Sequence, residues 1–423
     1  MKISDLITKT KVFAKRNAVK IGIFMAVVGP GLITAFADND AGGVATYSVA
    51  ASKFGYSILT TLIPITIVLA ITQEIGARIA IVTGKGLADH IRETFGIKIA
   101  LLVFFLLFFV NFGVILQDVG GLESGLQLFG FNPHIFLPIL ILLLFIFVIS
   151  SSYKRIERFF LFMILFYLAY LFSAILAKPD WRLTVKALFV PVGKISFDYL
   201  YTSIAVLGTT VTAWGQFFIN SYIVDKKLTP SKLKYETTEI YLGAILTDLF
   251  SLFMMIAVAA TLFVHRVPIQ GAAEASIAIK PLAGQMAGFL FGAGLIVAGF
   301  LGSAIVPLAT AYAFSEFFGY SGSLDTSFSK SKLFYAFFII QIAFGTIALY
   351  FPQISLFKIT LYADFLNGIM LPVIFFFLYK IANNEELMGR YKNTKLQNVL
   401  LIGSAIIISI AAILGGAGEL LHF

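Results

Sequence analysis

Two aspartates and a diglycine lie in the middle of an apolar stretch near the N-terminus. Residues 29–57 read GPGLITAFADNDAGGVATYSVAASKFGYS, so Asp38 and Asp40 are followed closely by Gly42 and Gly43. An ionised carboxylate inside a membrane segment costs about 2.5 to 3.5 kcal/mol on insertion scales, and such residues usually serve a function. Because the diglycine weakens a helix, freed backbone carbonyls could face the same cavity as the carboxylates. The pattern predicts a cation site of the kind found in transporters.

Composition sets the class of protein that must position this site. Of 423 residues, 59% are hydrophobic and 13% are charged. This is too apolar for a soluble core and predicts an all-α polytopic membrane protein in a lipid bilayer. Eleven apolar stretches are long enough to be transmembrane spans, at 20–52, 56–82, 99–123, 133–152, 157–177, 199–224, 237–264, 283–316, 333–351, 355–379 and 397–415.

Charge and cysteine content exclude several classes of partner and site. The net charge of +9 is scattered over short loops, which indicates membrane topology and not nucleic-acid binding. Predicted inner segments carry 22 Lys and Arg and outer segments carry 8, so we expect the N-terminus, with a cytoplasmic arm at 1–19, inside and the C-terminus outside. The absence of cysteine excludes disulfides and thiolate metal sites.

Two of the spans contain weak points at corresponding places. Span one is too long for a single crossing and is interrupted near Asp40, and span six is interrupted between Gly208 and Gly215. Inverted five-helix repeats place a substrate site where the first helix of each half unwinds at mid-membrane. We therefore expect one transporter domain over 1–423, with repeats at 20–179 and 199–380 and an additional helix at 397–415.

Span eight contains glycines at every fourth position, Gly284, Gly288 and Gly292. This small-residue spacing predicts close helix packing and not ligand binding.

Several segments in order resemble those of a known family. They are GPG at 29–31, ARIAIVTGKGLADHIRE from Ala77, YKRIER from Tyr153, AKPDW ending at Trp181 and NNEELMG from Asn383. The chain resembles the Nramp divalent-metal transporters and, within them, the Nramp-related magnesium transporters. The resemblance implies a LeuT-like inverted 5+5 repeat plus one helix, with helices one and six broken.

The resemblance also implies which residues would bind metal. The family's DPGN motif places its aspartate on Asp40, its glycine on Gly42 and its asparagine on Gly43. The family's AxxM pattern in the sixth span falls on Thr210 and Ala213, or in an alternative register on Thr209 and Thr212. No sulfur ligand remains in either register, which moves the expected preference from Mn²⁺ or Fe²⁺ toward a hard ion such as Mg²⁺.

Each candidate residue has a possible structural role beside its functional one. Asp40 is the principal predicted ligand, although an aspartate there could only cap the second half-helix. Asp38 is predicted to contact the ion through water, or to be a cap or a cavity-lining carboxylate. Gly43 and Ala213 would leave room for retained water, and Thr210 could offer a carbonyl or hydroxyl oxygen.

Further polar residues within the spans could add oxygens or line an access path. Gln216, Asn220 and Asn367 offer neutral oxygens, or could satisfy freed backbone groups. Asp118 resembles a third-span acid of a proton path, and Asp248 is a further buried acid. Glu74 lies four residues before Arg78, and we expect a structural ion pair there, with a place on the access path as the alternative.

These residues predict a carrier of partly hydrated Mg²⁺, and of Mn²⁺, that works by alternating access. No histidine lies in span six, so uncoupled entry is the simplest expectation; the inside-negative potential supplies about 4.6 kcal/mol for a divalent ion at 100 mV. A proton-coupled Mn²⁺ or Fe²⁺ importer is the first alternative, and a sodium-coupled carrier of a small organic solute is the second. No HExxH or GxSxG motif is present, so we expect no enzyme activity. We further expect no cofactor, a monomer and a plasma-membrane location.

Overall fold

The computed structural model describes residues 30–150, 167–320, 322–324, 326, 328–351 and 356–421. The predicted arm at 1–19, the start of span one and most of the first half of span five lie outside these ranges. All regular elements of the described residues are helical. In chain order they are α1 (Pro30–Ala37), α2 (Ala41–Phe54), α3 (Leu62–Thr83), α4 (Leu87–Phe95), α5 (Ile97–Leu128), α6 (Pro133–Ser150), α7 (Leu168–Leu176), α8 (Trp181–Phe189), α9 (Phe197–Thr210), α10 (Ala213–Asp225), α11 (Leu233–Val258), α12 (Ala272–Ser276), α13 (Lys280–Ala283), α14 (Ala287–Phe318), α15 (Lys332–Ala348), α16 (Leu356–Ala382), α17 (Glu385–Met388) and α18 (Lys395–Leu421).

The apolar helices make this a multi-pass membrane protein. Eight stretches of the described residues are long and apolar enough to cross a membrane, and α15 is a shorter apolar helix. Helical segments are found at each of the eleven predicted positions within the described ranges. The number of complete crossings stays a prediction, because parts of the first and fifth spans lie outside those ranges.

Both predicted interruptions are present. The first broken helix consists of α1 and α2, separated by residues 38–40, and the second consists of α9 and α10, separated by residues 211–212. Each second half begins with a side-chain cap: Asp40 accepts a hydrogen bond from the Gly43 N–H, and Thr212 accepts one from the Gly215 N–H. A cap satisfies a backbone donor that the first turn of a helix leaves free, so the breaks are stable ends inside the protein.

The longest helices, α5 and α14, pack along each other through small residues. Each has 32 residues, which corresponds to about 48 Å at 1.5 Å per residue. A Cβ atom on Gly299 of α14 would lie 2.5 Å from the Asp118 carbonyl oxygen of α5, so glycine is needed for this approach. α9 approaches α16 in the same way, because a Cβ on Gly368 would lie 2.7 Å from the Ile204 carbonyl oxygen.

Of the three regularly spaced glycines of span eight, one packs against another helix of the described structure. Gly292 contacts α5, where a Cβ atom would lie 3.2 Å from the Gly125 carbonyl oxygen. Gly284 lies before α14 with φ +53°, and neither it nor Gly288 has a neighbour among the described residues within 4 Å of its Cβ position. The packing prediction was therefore wrong for these two glycines, because α14 begins only at residue 287 and its packed surface lies further along the helix.

Candidate metal site

The two helix breaks meet in the interior of the protein. The Thr212 hydroxyl, at the start of α10, donates a hydrogen bond of 3.1 Å to Asp38 Oδ1, between α1 and α2. Asp38 is 1% exposed, and its Oδ2 has no hydrogen-bond partner among the described residues. The unwinding thus turns Asp38 toward the second break and leaves one carboxylate oxygen available.

Asp40 combines the two roles that the sequence left open for it. Its Oδ1 accepts a hydrogen bond of 2.8 Å from the Gly43 N–H, so the capping role is present. A carboxylate has about four acceptor positions, so this bond leaves capacity for a cation. Gly43 itself is tightly enclosed, because a Cβ there would lie 2.6 Å from the Asp38 carbonyl oxygen and 3.5 Å from Thr209 Oγ1.

The second break presents backbone and amide oxygens. The Thr210 hydroxyl donates to the Val206 carbonyl and bonds the Tyr47 hydroxyl, both at 2.7 Å. The Thr210 carbonyl belongs to the last turn of α9, where carbonyl oxygens lack intrahelical hydrogen-bond partners. It is therefore better placed than the Thr210 hydroxyl to bind an ion. The Ala213 N–H donates to Asn367 Oδ1 at 2.6 Å. Asn367 therefore satisfies a freed backbone group, the structural role that the sequence allowed.

Two amides on α10 keep unpaired oxygens. Gln216 donates from Nε2 to the Val211 carbonyl at 3.4 Å, and Asn220 donates from Nδ2 to the Gln216 carbonyl at 2.8 Å. Gln216 Oε1 and Asn220 Oδ1 are buried and have no hydrogen-bond partner among the described residues. A buried carbonyl oxygen without a partner costs about 1 to 3 kcal/mol, so both are candidates for contact with water or an ion.

Buried acids from other helices surround Asp40. Asp118 Oδ1 on α5 accepts from the Ala41 N–H at 3.2 Å, while Asp364 Oδ2 on α16 accepts from the Thr46 hydroxyl at 2.5 Å. Both carboxylates lie near enough to Asp40 to interact with its charge. Asp248 on α11 accepts from the Thr66 hydroxyl at 2.5 Å. In the described part of the chain, no three His, Asp or Glu side chains converge into a metal cage, so an ion here would keep other ligands.

Glu74 forms the predicted ion pair with Arg78. Arg78 Nε lies 2.9 Å from Glu74 Oε1, and both side chains are almost fully buried. Gln397 of α18 donates to Glu74 Oε2 at 2.8 Å, and Arg78 also donates to Asn393 Oδ1 at 2.8 Å. The pair ties α3 to α18 and to the segment before it, which is a structural function.

Three polar residues beside Asp40, namely Gln117, Thr360 and Thr46, were missed by the sequence reasoning. Gln117 donates to Thr360, whose hydroxyl lies 2.5 Å from that of Thr46, and Thr46 donates to Asp364. The signals were weak: Gln117 directly precedes Asp118, and Thr360 lies four residues before Asp364 on one face of α16. Helical spacing predicts that face, but only packing brings it against α2.

An all-helical bundle in which two broken helices meet at buried acids has a LeuT-like transporter fold. The manganese transporter of Eremococcus coleocola, crystallised with an aromatic bis-isothiourea compound, has this fold with a TM-score of 0.72, at 16% identity over 94% of this chain and 88% of that one. Mhp1, a nucleobase-cation-symport-1 family transporter, has a TM-score of 0.60, at 16% identity over 91% of this chain and 92% of its own.

Within this fold class the chain belongs to the Nramp family. The family described as "Natural resistance-associated macrophage protein-like" matches residues 31–416, almost the whole chain. A divalent metal cation transporter of Agrobacterium fabrum is 25% identical over 324 residues, which cover 73% of this chain and 69% of the relative. The family indicated by the sequence motifs is thereby confirmed.

Proposed function

We propose that this protein carries divalent metal cations across a membrane, with Mg²⁺ as its main substrate and Mn²⁺ as a second one. The family membership and the name of the Agrobacterium fabrum relative support divalent cation transport. The observation that carries the choice of ion is the donor set at the two breaks. It consists of Asp40, Asp38, the Thr210 carbonyl and the amide of Gln216, with no sulfur or imidazole. Such oxygen ligands favour hard cations.

The same geometry supports an ion that keeps part of its water shell. Mg²⁺ is usually bound by one or two carboxylates together with several waters. Gly43 and Ala213 stand where the family resemblance places an asparagine and a methionine, so neither position supplies a side-chain ligand that would displace water from the ion. Unpaired buried oxygens on Asp38 and Gln216 can then accept hydrogen bonds from the waters of the ion.

We propose alternating access without proton coupling as the mechanism. Asp38 and Thr212 belong to different broken helices, and their hydrogen bond links the two breaks at the candidate site. The position after the break that carries a histidine in related transporters is Trp214 or Gly215 here, and neither can carry a proton. The inside-negative potential alone drives inward movement of a divalent ion, by about 4.6 kcal/mol at 100 mV.

A proton-coupled Mn²⁺ importer is the second candidate. Its support is Asp118, a fully buried acid next to Asp40 whose Oδ2 has no hydrogen-bond partner among the described residues. A solved structure with this fold is also that of a manganese transporter. The sodium-coupled carrier of organic solutes lacks comparable support, because Trp214, Phe217 and Phe218, which would line its pocket, are packed in hydrophobic clusters.

The remaining assignments follow from this function. The relatives are transporters by name, which supports a protein without enzyme activity. We propose that the protein is a monomer in the plasma membrane. The distribution of Lys and Arg over the loops supports a cytoplasmic N-terminus and an outer C-terminus.

The deciding experiment is Mg²⁺ and Mn²⁺ uptake into proteoliposomes under an imposed potential, with internal pH recorded simultaneously. We expect saturable Mg²⁺ entry without acidification, and loss of entry of either ion in Asp40→Asn, because an amide loses the charge that offsets dehydration of the ion. Glu386→Gln is the matched control, since this exposed carboxylate lies in α17, far along the chain from the breaks. Mn²⁺ entry with acidification that excess Mg²⁺ does not inhibit would favour the proton-coupled importer instead.

A further inference from the structure

Gln117 on α5 is a fully buried amide held in one orientation. It is 0% exposed, and its Nε2 donates hydrogen bonds of 3.1 Å to both the carbonyl and the hydroxyl oxygen of Thr360. The Thr360 carbonyl can only accept, so the amide nitrogen must face α16. The carbonyl oxygen Oε1 therefore faces away from Thr360.

Gln117 Oε1 lies close to the carboxylate of Asp40, beside Gly42. A Cβ atom on Gly42 would lie 2.8 Å from Gln117 Oε1 and 3.1 Å from Asp40 Oδ1. Any side chain at residue 42 would collide with both groups, so glycine is required for their close approach to the backbone of α2. Gln117 Oε1 has no hydrogen-bond partner among the described residues. Two oxygens from different helices thus lie within reach of one partly hydrated ion.

The support of Gln117 is rigid. Thr360 also donates to the Gly42 carbonyl at 3.2 Å, and its hydroxyl lies 2.5 Å from that of Thr46. These bonds join α5, α2 and α16 around Gly42. A metal ligand held in place by a second layer of hydrogen bonds binds metal more tightly than a mobile one. The reason is that the held side chain loses less conformational freedom on binding.

We propose that Gln117 is a ligand of the transported cation, bound directly or through one water, and that its amide oxygen contributes to the preference for hard ions. The inference rests on the proposed function, since it places a further residue in the same site. The sequence motifs do not indicate it, because Gln117 lies on α5, outside both broken helices.

The test replaces the amide oxygen and compares two ions in proteoliposomes. Gln117→Leu removes the amide oxygen, and we expect the KM for Mg²⁺ to rise about tenfold. This is the lower end of the usual loss of affinity when a residue that supports a metal site is removed. Gln117→Met offers a soft thioether in a similar shape, so the ratio of Cd²⁺ to Mg²⁺ uptake should rise about tenfold or more. A structural role alone would not change this ratio.

Gln341 provides the matched control. It is also a buried glutamine, its Nε2 donates to the Phe337 carbonyl at 2.8 Å, and its Oε1 has no partner within the described chain, but it lies on α15. Gln341→Leu and Gln341→Met should leave the KM and the ion ratio within twofold of the wild type.

The outcomes separate this inference from the proposed function. Wild-type uptake that depends on Asp40, together with unchanged KM and ion ratio in folded Gln117 variants, would overturn the role of Gln117 alone. Equal shifts in the Gln341 variants would do the same. If Gln117→Leu does not yield folded protein, the ion ratio of Gln117→Met decides. A wild type without uptake that depends on Asp40 would overturn the proposed function, and this inference with it.

Discussion

At the scale of single residues, the candidate site is made of groups that serve the fold and remain available for chemistry. Asp40 caps α2 and keeps free acceptor positions, and Thr212 caps α10 while it donates to Asp38. Such double use is possible because oxygen atoms can take part in more than one interaction. It also means that a substitution at a cap changes stability together with binding.

Ala213 offers the clearest test of ion selectivity, because its side chain makes no hydrogen bond that a substitution would break. We expect Ala213→Met to place a thioether near the ion and to raise Mn²⁺ and Cd²⁺ uptake relative to Mg²⁺, about tenfold for Cd²⁺. The larger side chain should also cost about 1 to 3 kcal/mol of stability, since residue 213 is fully buried. Competitive uptake and thermal unfolding in detergent measure the two effects.

Thr212→Met is the comparison for the alternative register. It should mainly destabilise the protein, because Thr212 caps α10 and bonds Asp38. A change of selectivity in Thr212→Met with none in Ala213→Met would show that the register of the metal ligands is the alternative one.

At the scale of helices, glycines decide how closely buried acids are enclosed. Gly302 of α14 faces the Asp118 carboxylate so closely that a Cβ atom would overlap it. Asp118 in turn accepts from the Ala41 N–H at the start of α2. The contact between α5 and α14 therefore fixes an acid that supports the first helix break.

Gly302→Ala should displace Asp118, destabilise the protein by about 1 to 3 kcal/mol and lower the maximal uptake rate. Gly294→Ala is the matched control on the same helix, because no atom of the described part of the chain lies within 4 Å of its Cβ position. Alanine there should be neutral or stabilising by about 0.5 to 1 kcal/mol. Equal loss of stability in both variants would contradict the close contact. Thermal unfolding and uptake are measured for both.

The short helix α4, between two spans, contains a buried histidine. His90 is 1% exposed, and its Nε2 lies 2.8 Å from Thr83 Oγ1. Burial lowers the pKa of His90 to about 4, with a smaller opposing effect from Glu93 and a small lowering effect from Lys85. The folded protein therefore holds this imidazole neutral at pH 7.

The lowered pKa predicts that α4 loses stability in acid. The unfolded histidine, with a pKa of about 6.5, takes up a proton before the folded one does. The contribution of His90 is thus complete above pH 6.5 and decreases as the pH falls toward 4, by about 2 kcal/mol at pH 5. Amide hydrogen exchange of residues 87–95, corrected for intrinsic rates, should show this loss. His90→Gln should remove most of the pH dependence, and an unchanged dependence would mean that another group titrates.

At the scale of the whole molecule, contacts fasten the broken helices at both ends. On the predicted outer side, Lys53 in the last turn of α2 pairs with Asp198 of α9 at 2.8 Å, with both side chains more than 40% exposed. On the predicted inner side, Glu316 of α14 accepts from Ser221 of α10 at 2.5 Å and from the Ala88 N–H of α4 at 3.3 Å. The exposed pair is the weaker of the two, because water screens it.

The orientation of the molecule can be tested with single cysteines, since the chain contains none. Ile195 is exposed and lies in a predicted outer segment, so Ile195→Cys should react with a membrane-impermeant maleimide in intact cells. Glu386→Cys lies on the predicted inner side and should react only after permeabilisation. The reverse pattern would show the opposite topology. The labelled fraction on a gel measures the result.

The sequence by itself determined the class, the family and both helix breaks. The length of an apolar run and the number of basic residues in a loop depend only on local composition. An aspartate followed by a diglycine weakens a helix whatever that helix packs against. The residues nearest to those breaks, Asp38, Asp40, Thr210 and Ala213, were therefore found from the sequence.

Only the tertiary structure decided which distant residues face the two helix breaks. Gln117 and Thr360 lie on α5 and α16, and little in the local sequence distinguishes them from other polar residues of buried helices. The structure also directs the Asn367 oxygen to the Ala213 N–H and leaves Gly284 and Gly288 unpacked, against the spacing pattern. The physical reason is that periodicity fixes a face of one helix, whereas the neighbour of that face depends on the packing of the whole bundle.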